Sequence, residues 1–310
     1  MGKAILTLTT KRYQKLPAWV MTLLACLMVL SFLFVGETAV SILFSIVGTL
    51  FFLVKMGSMF SFDQVVAMFD NIYVMLTMAG APGFILYFWL KYYEKRPFSS
   101  LGFVKKIWKS EILKGWLVGT SLIIISFLTS YLLGGLSLVS VDFRPLTLLQ
   151  ILSLMPFWFL QGGTEELLTR GWLLPVIKSR TNLIIAIALS SSLFGILHIG
   201  NHHVTFLSIL SISLSGVLMA LYMIKTDNIW GVAGLHGAWN FTQGNIFGVA
   251  VSGTNAGSSL FRFQINPNSP EWISGGAFGT EGSLIASIVL MIGILILMKQ
   301  LRQEKPYKNS

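Results

Sequence analysis

Long apolar runs broken by short polar stretches alternate along the whole chain. A helix that spans a bilayer needs about 20 mostly apolar residues. Such runs occupy 17–35, 38–56, 72–90, 113–136, 146–161 (continuing to about 178), 182–199, 205–224, 229–249 and 282–300. The pattern predicts an all-α fold, a polytopic integral membrane helical bundle with about eight transmembrane helices. No repeat or low-complexity tract interrupts it. The chain divides into N-terminal membrane helices with a basic loop (1–112), a central helical core (113–249), and an outer loop with a last membrane helix (250–310). The first run follows a basic stretch, as a signal sequence would. It lacks a small-residue cleavage site with a polar mature start, so it reads as a retained anchor.

Composition agrees with this picture. The chain is 54% hydrophobic and 11% charged, against roughly 25% charged in an ordinary soluble protein. The net charge of +10 is not a nucleic-acid signature, because the basic residues gather at segment edges. They are Lys3, Lys11, Arg12 and Lys15; Lys91, Lys95, Arg96, Lys105, Lys106 and Lys109; Lys178 and Arg180; and Lys299, Arg302, Lys305 and Lys308. Positive loops stay cytoplasmic and favour anionic headgroups. The expected location is the cell membrane, multi-pass, with both termini and 91–112 cytoplasmic and 250–281 on the outer face. An even number of crossings must then precede 91–112, whereas three apolar runs lie there. The segments 17–35 and 38–56 are therefore expected to form one long or re-entrant unit joined at Gly36–Glu37. Cys26 is the single cysteine and reads as a small packing residue.

Among the twelve acidic residues, Glu165 and Glu166 stand out as the two set within long apolar sequence, in PFWFLQGGTEELLTRGWLLPVI. An ionisable side chain inside a membrane segment is costly and marks a functional site by default. Residues four apart share a helix face, so Glu166 and Arg170 form an ion pair. Glu165 is turned away by about 100° and is left to face a cavity as a general base. Gly162 and Gly163 either admit a neighbouring helix closely or break their own.

Two later segments each bring a histidine. Phe194 and His198 are four apart in FGILH, and His236 and Asn240 are four apart in HGAWN. Histidine can orient water, donate to an oxyanion or bind metal, and an asparagine amide can hold an oxyanion. His202 and His203 fall at or beyond a helix end and read as interfacial. The segment 250–281 reads as a mobile loop, or as a lid or partner-binding loop. No HExxH helix or GxSxG elbow occurs, and all four aspartates sit at segment edges. What remains is Glu/His chemistry.

These motifs resemble those of the CPBP (CAAX protease and bacteriocin-processing) intramembrane proteases. Glu165, Glu166 and Arg170 match EExxxR, Phe194 and His198 match FxxxH, and His236 and Asn240 match HxxxN, all in order over roughly 110–245. The resemblance implies that 113–249 is a catalytic core hydrolysing a peptide bond of a membrane-associated peptide or protein. Glu165 and His198 would activate water, His236 and Asn240 would stabilise the oxyanion, and Glu166, Arg170 and Phe194 would support them. Glu165, His198 and His236 could also hold a divalent metal such as zinc, while activation by Glu and His alone is equally coherent. The implied partners are a peptide or protein substrate and the lipid bilayer.

Two other readings stand beside the enzyme. One is a non-catalytic binding or regulatory protein of the same fold, such as a bacteriocin self-immunity or signalling factor. The other is a proton-coupled transporter, which should show inverted halves that this sequence lacks. The segment ends also put Glu165 toward the inner half of its helix and His198 toward the outer half of its own. A bend at Gly162–Gly163, or segment ends displaced by a few residues, is needed to bring them together.

Overall fold

The computed structural model describes residues 3–7, 13 and 16–303. Lys11, Arg12, Lys15, Lys305, Lys308 and both extreme termini lie outside the described residues. The helices are α1 (Ala18–Met56), α2 (Phe62–Met68), α3 (Ile72–Gly80), α4 (Pro82–Phe88), α5 (Trp108–Leu132), α6 (Pro145–Glu166), α7 (Leu174–Lys178), α8 (Leu183–Ile196), α9 (Phe206–Thr226), α10 (Trp230–Phe241), α11 (Glu271–Ser274) and α12 (Leu284–Gln303). Wide π-helical turns continue α4 through Trp89–Glu94, join α6 to α7 through Leu167–Leu173, and extend α10 through Thr242–Ile246. Strands β1 (Leu136–Val141) and β2 (Phe261–Ile265) form one antiparallel pair. The protein is a helical polytopic membrane bundle. Among the described residues, six helical stretches are long and apolar enough to cross a bilayer: Ala18–Met56, Ile72–Glu94, Lys105–Leu132, Pro145–Lys178, Phe206–Thr226 and Leu284–Gln303. Helices α8 and α10 are shorter.

The segments 17–35 and 38–56 form a single 39-residue helix that passes through Gly36–Glu37 without a break. At 1.5 Å per residue it is about 58 Å long. One helix in place of two leaves an even number of passages before 91–112, as the charge pattern requires. Gly36 is where α1 is pinned: a Cβ there would lie 2.7 Å from the Pro82 nitrogen.

The short connections gather at two ends of the bundle. At one end, Asp227 accepts from the Ala4 and Ile5 backbone amides at 3.0 Å each, and Ile229 N donates to Gly102 O at 3.0 Å. Lys225 bonds Gln300 there, and Arg180 donates to Leu16 O. This end carries every basic cluster among the described residues. At the other end, β1 pairs with β2, Asn201 donates to Ser252 O at 3.0 Å, and Gly253 N donates to Phe278 O at 2.9 Å. The segment 250–281 is thus tied down by a strand pairing and by several hydrogen bonds.

Helix α10 is the axis of the bundle, with every residue from Gly231 to Phe241 buried. Its neighbours reach it because glycines remove side chains from the interface. A Cβ at Gly119 of α5 would lie 2.1 Å from Leu235 O, and one at Gly162 of α6 would lie 2.9 Å from the His236 ring. Gly162 therefore serves close approach, and α6 runs through Gly162–Gly163 without a break.

Two measurements follow. Gly119→Val should force α5 off α10 and lower stability by about 1–3 kcal/mol or more; an unchanged thermal midpoint in detergent would count against this packing. On a Cys26→Ser background, Ser99→Cys and Asn255→Cys should react with an impermeant thiol reagent from opposite sides of the membrane. Labelling of both from one side would contradict the two-ended arrangement.

Candidate active site

The site is built where α6, α8 and α10 meet. Glu166 and Arg170 are both fully buried, and Arg170 Nη1 donates to Glu166 Oε1 at 3.1 Å. The same oxygen lies 3.0 Å from His236 Nδ1. Arg170 Nη1 also reaches Thr169 Oγ1 at 2.6 Å, and the guanidinium stacks over the Phe194 ring, 4.2 Å from its centre. A buried charge needs a partner, and here two cationic or protonatable groups share one carboxylate oxygen. Phe194 closes the arrangement: it covers Arg170 on one side and meets the rings of His198 and His236 edge-on, at 5.0 and 5.9 Å. The π turn that begins at Leu167 directly follows the glutamate pair. Such turns are frequent at functional sites, and Arg170 lies on this one.

Glu165 points elsewhere, as its helical position requires. Its Oε1 accepts from Gln161 Nε2 at 2.5 Å, and Gln161 Oε1 accepts from Asn240 Nδ2 at 2.9 Å. Its Oε2 is enclosed without a hydrogen-bond partner and lies 3.8 Å from His236 Nε2. His236 thus stands between the two glutamates, with Nδ1 committed to Glu166 and Nε2 turned toward Glu165. His198 bonds the Phe194 carbonyl through Nδ1 at 2.8 Å, which leaves Nε2 for other work.

All four polar residues singled out in the sequence, Glu165, His198, His236 and Asn240, line one cavity of about 540 Å³. Helix α8 has 14 residues and ends at Ile196, about 21 Å from its start and short of the roughly 30 Å hydrocarbon thickness. His198 follows that early end and lines the same cavity as Glu165. His202 and His203 lie exposed at the end of the bundle, outside the cavity lining.

The structure adds residues that sequence reasoning passed over. Gln161 links Glu165 to Asn240, and its signal was its place four residues before Glu165 on the same face. Glu37 also lines the cavity, so Glu165 and Glu166 are not the only carboxylates set in apolar helix. Reading α1 as two segments had put Glu37 at a joint. Glu281, from the turn before α12, is a third cavity carboxylate. Its Oε1 accepts from Ser252 Oγ at 2.9 Å and from Ser252 N. Burial pushes the Glu281 carboxyl above the usual carboxylate range, while the Ser252 donors and the nearby His198 and His236 pull it down.

Glu165, His198 and His236 share the cavity, yet no three His, Cys, Asp or Glu side chains among the described residues are gathered as a metal site.

Removing Glu166 would strand Arg170 in the core, and breaking a buried pair costs roughly 3–5 kcal/mol. Glu166→Ala should therefore lower the unfolding midpoint and the amount of protein in the membrane. Equal membrane levels and an equal midpoint would show that the pair does not hold the site together.

A family model described as type II CAAX prenyl endopeptidase Rce1-like matches residues 147–242. That span runs from the first turn of α6 to the end of α10 and contains all three motifs. No curated protein matches the chain. The match supports the resemblance to the CPBP/CAAX protease family over residues 147–242.

Proposed function

We propose that the protein is an intramembrane endopeptidase that hydrolyses a peptide bond of a membrane-associated polypeptide with water activated by Glu165 and His198. The observation that carries this reading is that Glu165, whose Oε2 has no hydrogen-bond partner, lines one cavity together with His198, His236 and Asn240. A carboxylate in such a position can take a proton from water. The separation of 3.8 Å between Glu165 Oε2 and His236 Nε2 is too long for a direct hydrogen bond.

In the proposed step, Glu165 accepts a proton from water as the water oxygen bonds to the scissile carbonyl carbon. The carbonyl π pair moves onto its oxygen, and His236, when protonated on both nitrogens, and Asn240 donate to that oxyanion. The carbon–nitrogen bond then breaks, and the nitrogen leaves as an amine with a proton delivered from Glu165 or His198. Gln161 holds one oxygen of Glu165 and leaves the other without a hydrogen-bond partner. Glu166 holds His236 through Nδ1, which directs Nε2 into the cavity. We also read the basic end of the bundle as cytoplasmic, by the positive-inside bias. The turn at 251–254 and Glu281 then bound the cavity on the outer side.

Glu165→Gln keeps the shape and removes the base. It should lower cleavage by about 10²–10⁴-fold with the protein still present at normal levels. Asn240→Ala should cost about 10²–10³-fold. The check is mass spectrometry of membrane peptides from cells carrying the intact chain or either variant. Products that persist unchanged with Glu165→Gln would refute the assignment.

A further inference from the structure

The catalytic motifs lie within 147–242, whereas much of the cavity wall comes from α1, α3, the 251–254 turn and the start of α12. That wall is acidic. Glu37, Glu165 and Glu281 line the cavity, and among the described residues no Lys or Arg does. Arg170 lies outside the lining, bound to Glu166.

The three carboxylates are not equivalent. Glu165 is held by Gln161, and Glu281 is held by Ser252. Glu37 has no cation bonded to it among the described residues; the hydrogen bond at this position is made by its backbone carbonyl, which accepts from Ser41 Oγ at 2.7 Å. It lines the same cavity as Glu165. Its place is fixed by the contact of Gly36 with Pro82. Glu37 and Phe34 also line a groove that continues along α1 past Thr38, Ser41 and Ser45. A carboxylate in a membrane helix normally pairs with a cation or a polar group. Glu37 is exposed, pairs with no cation among the described residues, and belongs to both the cavity lining and the groove.

We propose that Glu37 is a specificity residue: its carboxylate receives a cationic group of the substrate polypeptide, either a Lys or Arg side chain or a free amino terminus, next to the bond to be cut. The proposal rests on the protease reading for the word substrate. A cation entering the cavity relieves the unpaired charge at Glu37 and gains a charge-assisted hydrogen bond. It also leaves Glu165 free to act as a base, because Glu37 takes the charge. An acidic group in the same place would face three carboxylates, and a neutral one would leave Glu37 unpaired. The selectivity is thus a difference between cationic and neutral peptides, made in part by repulsion.

The test separates binding from cleavage. Full-length protein carrying Glu165→Gln is reconstituted in nanodiscs, with and without Glu37→Gln. Each is titrated with fluorescent apolar peptides that contain lysine or norleucine at one position, with the amino terminus free or acetylated. With Glu37 present, cationic peptides should bind about tenfold tighter than the acetylated norleucine peptide. Glu37→Gln should erase that difference and leave the acetylated norleucine peptide unchanged. The acetylated lysine peptide and the free norleucine peptide tell which cation is received. Charge reversal by Glu37→Lys should make a peptide with glutamate at that position bind better than the lysine peptide. Equal affinity for charged and uncharged peptides when Glu37 is present overturns the proposal without need of any variant. A loss shared equally by all peptides in Glu37→Gln also overturns it, since that would be a packing effect. A chain with intact Glu165 that shows Glu37-dependent binding of cationic peptides but releases no product would sink the protease reading alone.

Discussion

The site depends on keeping one buried arginine neutralised. Arg170 has no access to solvent, and its charge is balanced by Glu166 one helical turn away. Most of the site follows from that pairing. Glu166 is used up, so the adjacent Glu165 is the carboxylate left for the cavity. The Glu166 oxygen that accepts from Arg170 also orients His236. Phe194 packs on the guanidinium and brings α8, with His198, against the same point. Removing any one member leaves a desolvated polar group, and in a low-dielectric interior such networks fail as a unit.

The glycines of α5, α6 and α10 make this geometry reachable. Side chains of ordinary size at Gly119 or Gly162 would hold α10 away from its neighbours. His236 and Asn240 would then lie too far from Glu166 and Gln161 for the hydrogen bonds of 3.0 and 2.9 Å. Chemistry and packing are specified on the same helix: HGAWN supplies two polar residues on one face and a glycine for close approach at Gly237.

Much of this was legible in the sequence, because a polar residue within a long apolar run is conspicuous and helical spacing says which residues share a face. The Glu166–Arg170 pair, the different orientation of Glu165 and the faces of His198 and His236 all follow from spacing alone. The family comparison then supports the protease resemblance over 147–242, while the roles of single residues rest on geometry. Other features were hidden for identifiable reasons. Glu37 lies beside Gly36, and a glycine–glutamate pair looks like a break until the Pro82 contact shows why the glycine is there. Glu281 sits in a polar stretch, where one more acid attracts no notice; only the tertiary fold carries it to the cavity. The early end of α8 was obscured because apolar residues continue past it to Ile199.

The shortness of α8 has a consequence for the lipid as well as for the site. Ile184, Ile185, Leu189 and Ile196 face outward from a helix of 14 residues. A helix of about 21 Å is shorter than the bilayer's relaxed thickness, and acyl chains packed beside such a helix would shorten or tilt to match it. A bilayer around the bundle would then be thinnest along this flank. A segment diffusing laterally in the bilayer would meet thinner hydrocarbon there, and its polar backbone would have less far to travel between the headgroups and the depth of Glu165. Bilayer thickness, which no side chain in the cavity senses directly, would then become a mechanical variable of the site.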